Sequence, residues 1–371
     1  MDVVVTGLGL ASCLGSLSTA WSSVLQGKSG ISLQQPFPEL AVYPLGLINS
    51  RPSNISNLTK AILLDALQDA ELQIPMAECG VVIGSSRGCQ ASWEKLTSLN
   101  SKFEPSWLET LPDQPAILTG KYLQTNAPVL APMAACATGI WALARGYELI
   151  KTGRCQRVLA GAVEAPISPL TIAAFEKMGA LASTGCYPFD RKREGLVLGE
   201  GGAIFVLEAA ALAARRQAKV YGKIRGFGFT CDAYHISSPQ AVNGSASKAI
   251  KQSLEHSELK ASEIDYIQAH GTSTILNDRH EAQLIRHIFP QRVAVSSTKG
   301  ATGHTLGASG AISVALTLMA MKHNYLLPCV GLKDLEFDLN LVTQLRKAEI
   351  NHAMCFSFGF GGQNAVIALS R

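Results

Sequence analysis

The sequence has few charged residues, no basic leader and little net charge. Only 16% of its 371 residues are charged and 47% are hydrophobic, which argues against a disordered chain and is enough for a large buried core. The net charge of +4 is too small to indicate a nucleic-acid-binding protein. No basic segment followed by an apolar one opens the chain, so we expect no signal peptide.

The cysteines lack the spacing of a disulfide framework or a zinc site. There are nine of them, irregularly spaced and without a C-x-x-C pair. Such a set is typical of free thiols in a reducing compartment, and we expect a cytoplasmic protein without a bound metal. The longest uncharged stretch, Tyr122–Ala144, contains Gln124, Asn126 and two prolines. It therefore favours a buried strand, turn and helix over a membrane span.

Short β-branched runs alternate with helical patterns, which predicts an α/β protein whose buried sheets are covered by helices. The predicted strands are Val3–Thr6, Gly80–Ile83, Arg157–Ala160, Ala203–Leu207, Tyr266–Ala269, Val293–Ser296, Met354–Ser357 and Ala365–Leu369. The predicted helices are Thr59–Ala70, Gly139–Lys151, Ser247–His256 and Ala311–His323, and Ser29–Leu58 is predicted to be irregular. The last helix is apolar on nearly every face, which indicates burial from all sides. A faint repeat of Ala-Thr-Gly at residues 137–139 and 301–303 favours two interlocked halves.

Three motifs match known sites only in part. Gly7-Leu8-Gly9 begins like a dinucleotide fingerprint, but Ser12 holds the third glycine position, so we interpret the motif as a tight turn. His280-Glu281 lacks the second histidine of a zinc motif. Gly84-Ser85-Ser86-Arg87-Gly88 fits the G-x-S-x-G nucleophile elbow, which leaves open a hydrolase with Ser86 as its nucleophile.

Cys136 is the strongest candidate nucleophile. Small residues flank it, and a predicted helix follows it closely. A helix N-terminus favours the reactive thiolate, and a thiolate suits acyl transfer between thioesters. The alternative is a small buried side chain with no reaction of its own.

Two histidines and an aromatic loop add to this candidate site. His270 and His304 each lie in a Gly/Thr-rich turn after a predicted strand. One such histidine is more often structural, but two neutral imidazoles suit the donation of hydrogen bonds to a thioester oxygen that becomes an enolate. In Phe358-Gly359-Phe360-Gly361-Gly362, the glycines would let the Phe360 N–H reach a substrate oxygen and its ring swing; a tight turn with one core aromatic is the alternative.

Seven ordered motifs give the chain a resemblance to the β-ketoacyl–acyl carrier protein synthases of the thiolase superfamily, especially the type II elongating enzymes. They are VVVTGLG at Val3–Gly9, AACATG around Cys136, PFDRKREGLVLGEGG at Pro188–Gly202, DAYHISSP at Asp232–Pro239, HGTSTILND at His270–Asp278, STKGATGHTLGASG at Ser297–Gly310 and SFGFGGQN at Ser357–Asn364. The resemblance implies a five-layered αβαβα fold of two duplicated halves. We place the first half, with the nucleophilic cysteine, at residues 1–210 and the second, with both histidines, at residues 211–371.

The resemblance also implies roles for individual residues. Cys136 carries the acyl chain, and its N–H forms the oxyanion hole with that of Phe360. His270 and His304 support malonyl decarboxylation and carbanion attack. The remaining implied roles are support of the histidines by Lys299 and Glu281, contact with substrate by Thr272, Thr274, Phe358 and Phe360, and docking of the carrier protein by Lys192 and Arg193.

The implied reaction is a decarboxylative Claisen condensation with malonyl–carrier protein in fatty-acid or polyketide biosynthesis. It needs no cofactor, because substrates arrive on the phosphopantetheine arm of acyl carrier protein. We expect a homodimer, or a heterodimer with a related ketosynthase or chain-length factor, no nucleic-acid partner and no membrane span. A non-catalytic, chain-length-setting subunit and a thiolase using Cys329 or Cys355 remain alternatives. The region before Thr59 is shorter than in typical elongating synthases and lacks their Arg-rich segment. Since that segment helps to dock the carrier protein, the resemblance does not fix the docking surface of this chain.

Overall fold

The computed structural model describes residues 1–98 and 105–371. The strands of its first half are β1 (Val3–Ser12), β2 (Gly15–Ser16), β3 (Ser32–Gln34), β4 (Tyr43–Leu45), β5 (Gly80–Gly84), β6 (Val129–Leu130), β7 (Arg157–Glu164) and β8 (Gly201–Ala209). The helices of this half are α1 (Leu17–Leu25), α2 (Ile55–Asp69), α3 (Gln90–Ser98), α4 (Gln114–Leu123), α5 (Thr138–Lys151), α6 (Pro169–Lys177) and α7 (Ala210–Arg215).

The second half repeats this mixture of strands and helices. Its strands are β9 (Gly222–Cys231), β10 (Tyr266–Gln268), β11 (Ala294–Ser296), β12 (Tyr325–Leu326), β13 (Arg346–Lys347), β14 (His352–Gly359) and β15 (Gln363–Ser370). Its helices are α8 (Ser245–Ser257), α9 (Ile275–Ile288), α10 (Lys299–Thr302) and α11 (Ser309–His323). Short 3-10 helices span Pro105–Thr110, Ala261–Glu263 and Leu306–Ala308.

The two halves repeat one strand order. The first runs β6-β5-β7-β8-β1 and the second runs β11-β10-β14-β15-β9. In the first half β5 pairs in parallel with β6 and β7, while β8 is antiparallel to β7 and β1. In the second half β10 pairs in parallel with β11 and β14, while β15 is antiparallel to β14 and β9. The halves meet where β1 pairs with β9, and α7 links them along the chain.

In the described parts of the chain the two halves form one continuous 11-stranded sheet, and helices cover its outer side and fill the space between the halves. On the outside, α2 packs on β1 and β8, whereas α8 packs on β9 and β15. Between the halves, α5 and α11 each contact strands of both. Every residue of α11 from Ser309 to Met321 is buried, as its all-round apolar pattern predicts. These layers are the predicted five-layered αβαβα arrangement. Among the described residues, no helix combines the length and apolarity needed to cross a membrane.

The structure corrects the interpretation of the first glycines. Gly7 and Gly9 lie inside the buried strand β1 rather than in a turn. A Cβ on Gly9 would lie 2.0 Å from the carbonyl oxygen of Ile62, so the missing side chain lets α2 pack against the strand. The segment Ser29–Leu58 is also not wholly irregular, because it contains β3, β4 and the start of α2.

Candidate active site

Cys136 lies two residues before α5, in a turn fixed by its neighbours. The Oγ1 of Thr138 donates a hydrogen bond to the carbonyl oxygen of Ala135 at 2.7 Å and accepts one from the N–H of Ala134 at 2.9 Å. Ala135 adopts a left-handed conformation with a φ of 47°. Such backbone strain is typical of functional turns. The predicted position near the N-terminus of a helix is therefore correct.

The loop between β14 and β15 packs directly against Cys136. Ser357 Oγ donates to the Cys136 carbonyl at 2.8 Å, and the backbone N–H of Phe360 donates to the Cys136 thiol. A Cβ on Gly359 would lie 3.0 Å from the Cys136 nitrogen, so this close approach requires glycine. The structure thus brings the main chains of Cys136 and Phe360 together, as the predicted oxyanion hole requires.

The protonation state of Cys136 differs from the sequence-based expectation. Its side chain is buried, and this burial raises the pKa of the thiol to about 11, although the Lys299 cation and the Phe360 N–H oppose the rise. The resting protein therefore holds a thiol rather than the predicted thiolate, because desolvation outweighs the Lys299 cation and the Phe360 N–H. A base must remove the proton when the sulfur attacks.

His270 and His304 lie beside this thiol. Their ring centroids are 5.3 Å apart, and the ligand-type atoms of Cys136, His270 and His304 all lie within 4.8 Å of one another. Burial, followed by the nearby Lys299 cation, lowers the pKa of each histidine well below 6.5. Both rings are therefore neutral near pH 7, where one nitrogen donates a hydrogen bond and the other accepts one. A thiol and two imidazoles at this spacing could also hold a metal ion, so the absence of a metal remains a prediction.

The two rings differ in how they are held. Ser309 Oγ, at the start of α11, lies 2.7 Å from His304 Nδ1 and orients that ring. His270 packs edge to face against Phe358, with ring centroids 6.0 Å apart. Its Nδ1 is buried without a hydrogen-bond partner among the described residues. Such an orphaned polar atom calls for a functional explanation, and a substrate oxygen could supply the missing partner.

Lys299 and Glu281 both hydrogen-bond to the main chain of His270, one to its carbonyl oxygen and the other to its N–H. The buried Lys299 ammonium donates to the His270 carbonyl oxygen. The Glu281 carboxylate accepts hydrogen bonds from the N–H of His270 at 2.5 Å and from that of Gly271 at 2.7 Å. Burial raises the pKa of Glu281 to about 7. Both side chains act on the position of His270, in line with the supporting role that the resemblance implies.

Asp278 is a buried acid to which the sequence analysis gave no role in the Cys136 site. It lies one turn before Glu281 on α9 and accepts a hydrogen bond from the Phe189 N–H at 2.8 Å. Burial raises the pKa of Asp278 to about 6. The motif HGTSTILND contains the residue, but an acid on the apolar side of a helix gives no periodic signal. Asp278 ties the turn at Phe189 to the helix that positions His270.

The predicted substrate-contacting residues line one cavity with the reactive side chains. This cavity has a volume of about 330 Å³, within the usual range for small-molecule sites. Its lining includes Cys136, His270, His304, Thr272, Thr274, Phe358 and Phe360. The two threonine hydroxyls lie 2.9 Å apart. The sulfur, the two imidazoles and the threonine hydroxyls thus share one cavity with apolar side chains such as Phe175 and Met178, as a site for an acyl chain on a polar arm requires.

The two residues predicted to dock the carrier protein, Lys192 and Arg193, differ in their exposure. Lys192 is exposed, but Arg193 is 4% exposed and forms ion pairs with Glu336 and, at 3.8 Å, with Asp278. A guanidinium held this way cannot reach a partner's surface, so the prediction for Arg193 is wrong. Its position next to Lys192 in a charged run gave no sign of burial. Lys192 stays a prediction.

Ser86, the rival nucleophile, takes part in a structural network instead. Its hydroxyl donates to Glu164 at 2.6 Å, and the same buried carboxylate accepts from Ser85 Oγ and from the N–H groups of Ser86, Arg87 and Gly307. No histidine hydrogen-bonds to the Ser86 hydroxyl within the described parts of the chain. The geometry therefore offers this serine no base, in contrast to Cys136.

Comparison with known proteins places this site in a family. The model for the β-ketoacyl synthase N-terminal domain matches residues 52–213, and that for the C-terminal domain matches residues 221–333. A 3-oxoacyl-[acyl-carrier-protein] synthase 2 from Synechocystis sp. is 32% identical over 406 aligned positions, which cover 100% of this chain and 98% of that protein. The chain belongs to the β-ketoacyl synthase family. This confirms the predicted family and the enzyme class, an acyltransferase.

Solved ketosynthases share the fold over the whole chain. One structure, described as a type II polyketide acyl-carrier protein in complex with its ketosynthase bound to the hexaketide, has a TM-score of 0.94 at 28% identity and covers 100% of this chain and 99% of its own. A ketosynthase in complex with its chain length factor from Xenorhabdus doucetiae has a TM-score of 0.84 at 25% identity, with 100% and 98% covered. The predicted thiolase-like fold is therefore confirmed.

Proposed function

We propose that this ketosynthase extends an acyl chain held on Cys136 by two carbons taken from malonyl–acyl carrier protein. The observation that carries the proposal is the joint placement of Cys136, His270 and His304 in one cavity, with their reactive atoms within 4.8 Å. A non-catalytic subunit would not need a nucleophile and two neutral imidazoles at this spacing. The relatives named as 3-oxoacyl-[acyl-carrier-protein] synthases support the choice of carrier-bound substrates.

The first half-reaction transfers the acyl group to the enzyme. A neutral imidazole accepts the Cys136 proton as the sulfur attacks the acyl thioester, and the carrier leaves with its thiol. The N–H groups of Cys136 and Phe360 stabilise the oxyanion of the tetrahedral intermediate. The product is an acyl thioester on Cys136, in which one thioester bond has replaced another of nearly equal energy.

The second half-reaction makes the carbon–carbon bond. The bond between the malonyl α-carbon and its carboxylate breaks, carbon dioxide leaves, and the electron pair forms a thioester enolate. Hydrogen bonds from His270 and His304 stabilise the enolate oxygen, since both rings are neutral donors. The α-carbon then attacks the Cys136 thioester, the sulfur leaves, and a β-ketoacyl chain two carbons longer stays on the carrier.

Acyl carrier protein is the proposed partner, and a second ketosynthase-like chain is the proposed subunit. The solved complex with an acyl-carrier protein and the one with a chain length factor support both kinds of contact for proteins of this fold. We propose Lys192 as one docking residue and a homodimer, or a heterodimer with a chain-length factor, as the assembly. We place the protein in the cytoplasm, because all nine cysteines are free thiols.

Product analysis tests this function. The purified protein is supplied with acyl–carrier proteins of several chain lengths and with labelled malonyl–carrier protein. We expect release of labelled carbon dioxide and a β-ketoacyl product two carbons longer, both formed ~100-fold or more slowly by His304→Ala. The condensation would be refuted if the wild type is acylated on Cys136 but gives no elongated product, both alone and after a partner subunit is added.

A further inference from the structure

A cation that the mechanism does not use lies beside the cavity, next to Phe175, one of the rings that line it. The Phe360 ring, whose backbone reaches the Cys136 thiol, stacks on Phe175 at a centroid distance of 6.1 Å. The guanidinium of Arg87 lies 5.7 Å from the centroid of the same Phe175 ring. A chain that leaves Cys136 along Phe360 therefore meets Phe175 and, beside it, a permanent positive charge.

Arg87 has few partners in the part of the chain that the structure describes. It is half-buried, and its main-chain N–H is held by Glu164 at 3.0 Å. Its guanidinium donates one hydrogen bond, to Gln90 Oε1 at 3.3 Å, and no carboxylate oxygen lies within 4 Å of it in the described parts of the chain. A guanidinium carries five N–H donors and stays charged. Among the described residues, most of its hydrogen-bonding capacity has no protein partner.

Gln90, the hydrogen-bond partner of Arg87, belongs to a cluster of polar side chains near Phe175. Gln90 Nε2 donates to Thr171 Oγ1 at 3.0 Å, to Ser168 Oγ at 3.2 Å and to Glu94 at 2.8 Å. Thr171 lies one turn before Phe175 on α6, so the two share a face of that helix. These groups satisfy one another, whereas a purely alkyl chain end placed beside the half-buried Arg87 would strip water from the guanidinium without replacing its hydrogen bonds, which is unfavourable.

We propose that Arg87 selects acyl groups that carry a neutral oxygen acceptor, a ketone or a hydroxyl, along the chain, in preference to saturated chains of equal length. The proposal rests on the proposed function, in which Cys136 carries the acyl group. The guanidinium donates to the chain oxygen, while the Phe175 ring contacts the methylene groups. The nearby Glu94 carboxylate disfavours a chain that ends in a second carboxylate, which is why the acceptor is neutral.

Matched thioesters test this selectivity without the carrier protein. Hexanoyl, 5-oxohexanoyl and glutaryl pantetheine are offered to the wild type, Arg87→Met and Arg87→Lys, and the initial rate of adduct formation on Cys136 is followed by intact-protein mass. Arg145→Met serves as a control, since Arg145 is an exposed residue on α5 that pairs with Glu148. Thermal unfolding of each variant reports whether it is folded.

In the wild type we expect the 5-oxohexanoyl group to react at least ~10-fold faster than the hexanoyl group, as a charge-assisted hydrogen bond predicts. Arg87→Met should lower this ratio ~10- to 100-fold, Arg87→Lys should lower it less, and Arg145→Met should leave it unchanged. Equal ratios in the wild type and in a folded Arg87 variant would overturn the proposal, and so would faster reaction of the glutaryl group. If the wild type forms no adduct with any thioester or acyl–carrier protein, the proposed function itself fails.

Discussion

Asp278 makes the free energy of unfolding depend on pH between about pH 4 and about pH 6. Its folded pKa is about 6, against 3.8 for an ordinary aspartate, because the side chain is buried. A raised acid pKa means that the folded state holds the proton more tightly than the unfolded state. The stabilisation is therefore complete below about pH 4 and is lost as the pH rises through 6. Two pKa units correspond to ~3 kcal/mol, of which ~2 kcal/mol falls between about pH 4.5 and about pH 7.5.

Asp278→Asn isolates this contribution. The asparagine oxygen can still accept the hydrogen bond from the Phe189 N–H, but the group no longer titrates. We expect the free energy of unfolding of the wild type to fall by ~2 kcal/mol more than that of the variant between those two pH values. Urea unfolding followed by circular dichroism measures it. The exposed Asp334→Asn is the control, and it should follow the wild type.

Two outcomes would refute this reasoning. One is a pH dependence of Asp278→Asn that equals that of the wild type. The other is a wild type that gains stability relative to the variant as the pH rises, since this would mean a lowered pKa. Glu281 titrates in both proteins, so some pH dependence should remain in the variant. It should shift to lower pH, because the Asp278 charge helps to raise the pKa of Glu281.

Three further predictions follow from the site. Lys299→Met removes the cation that lowers the pKa of both histidines, so the low-pH limb of the decarboxylation rate should move to higher pH in a pH–rate profile; an unmoved limb would contradict the assignment. His304→Ala should slow carbon dioxide release ~100-fold or more while Cys136 is still acylated, and equal loss of both steps would argue against separate roles. Gly139→Ala places a Cβ 2.6 Å from the Ala311 nitrogen, so α5 and α11 must separate. Urea unfolding should show that the free energy of unfolding falls by ~1–3 kcal/mol. An unchanged value would mean that the two helices move apart without cost.

The sequence predicted strands with branched side chains but missed one long strand with glycines and the short strands β2, β3, β4, β6, β12 and β13. Every predicted strand overlaps an observed one, but β9 has glycines at 226 and 228 and was not predicted. A Cβ on Gly228 would lie 1.8 Å from the Ala249 carbonyl oxygen, so the glycine marks where α8 packs on the strand. Glycines spaced in this way are easily interpreted as turns, as those of β1 were.

Burial of charged side chains also limited what the sequence could predict. The helix α9 was missed because its buried face includes Asp278 and Glu281 among the apolar residues, which weakens the helical period. Arg193 was assigned to the surface for the same reason, since a charged residue is normally exposed. The paired histidines and Cys136 were predicted from motifs far apart in the chain. Their closeness in space, and the raised pKa of the thiol, depend on how the two halves pack.

Intact-protein mass after mixing with acyl–carrier protein tests the central claim most directly. The wild type should gain the mass of one acyl group, located on Cys136 by peptide mapping, and malonyl–carrier protein should then discharge it. Cys136→Ala should gain no mass. We expect this variant to keep its fold, because Ser357 hydrogen-bonds only to the main chain of residue 136. An adduct that persists in Cys136→Ala, or a wild type that stays unmodified with every acyl chain and with a ketosynthase-like partner present, would contradict the account.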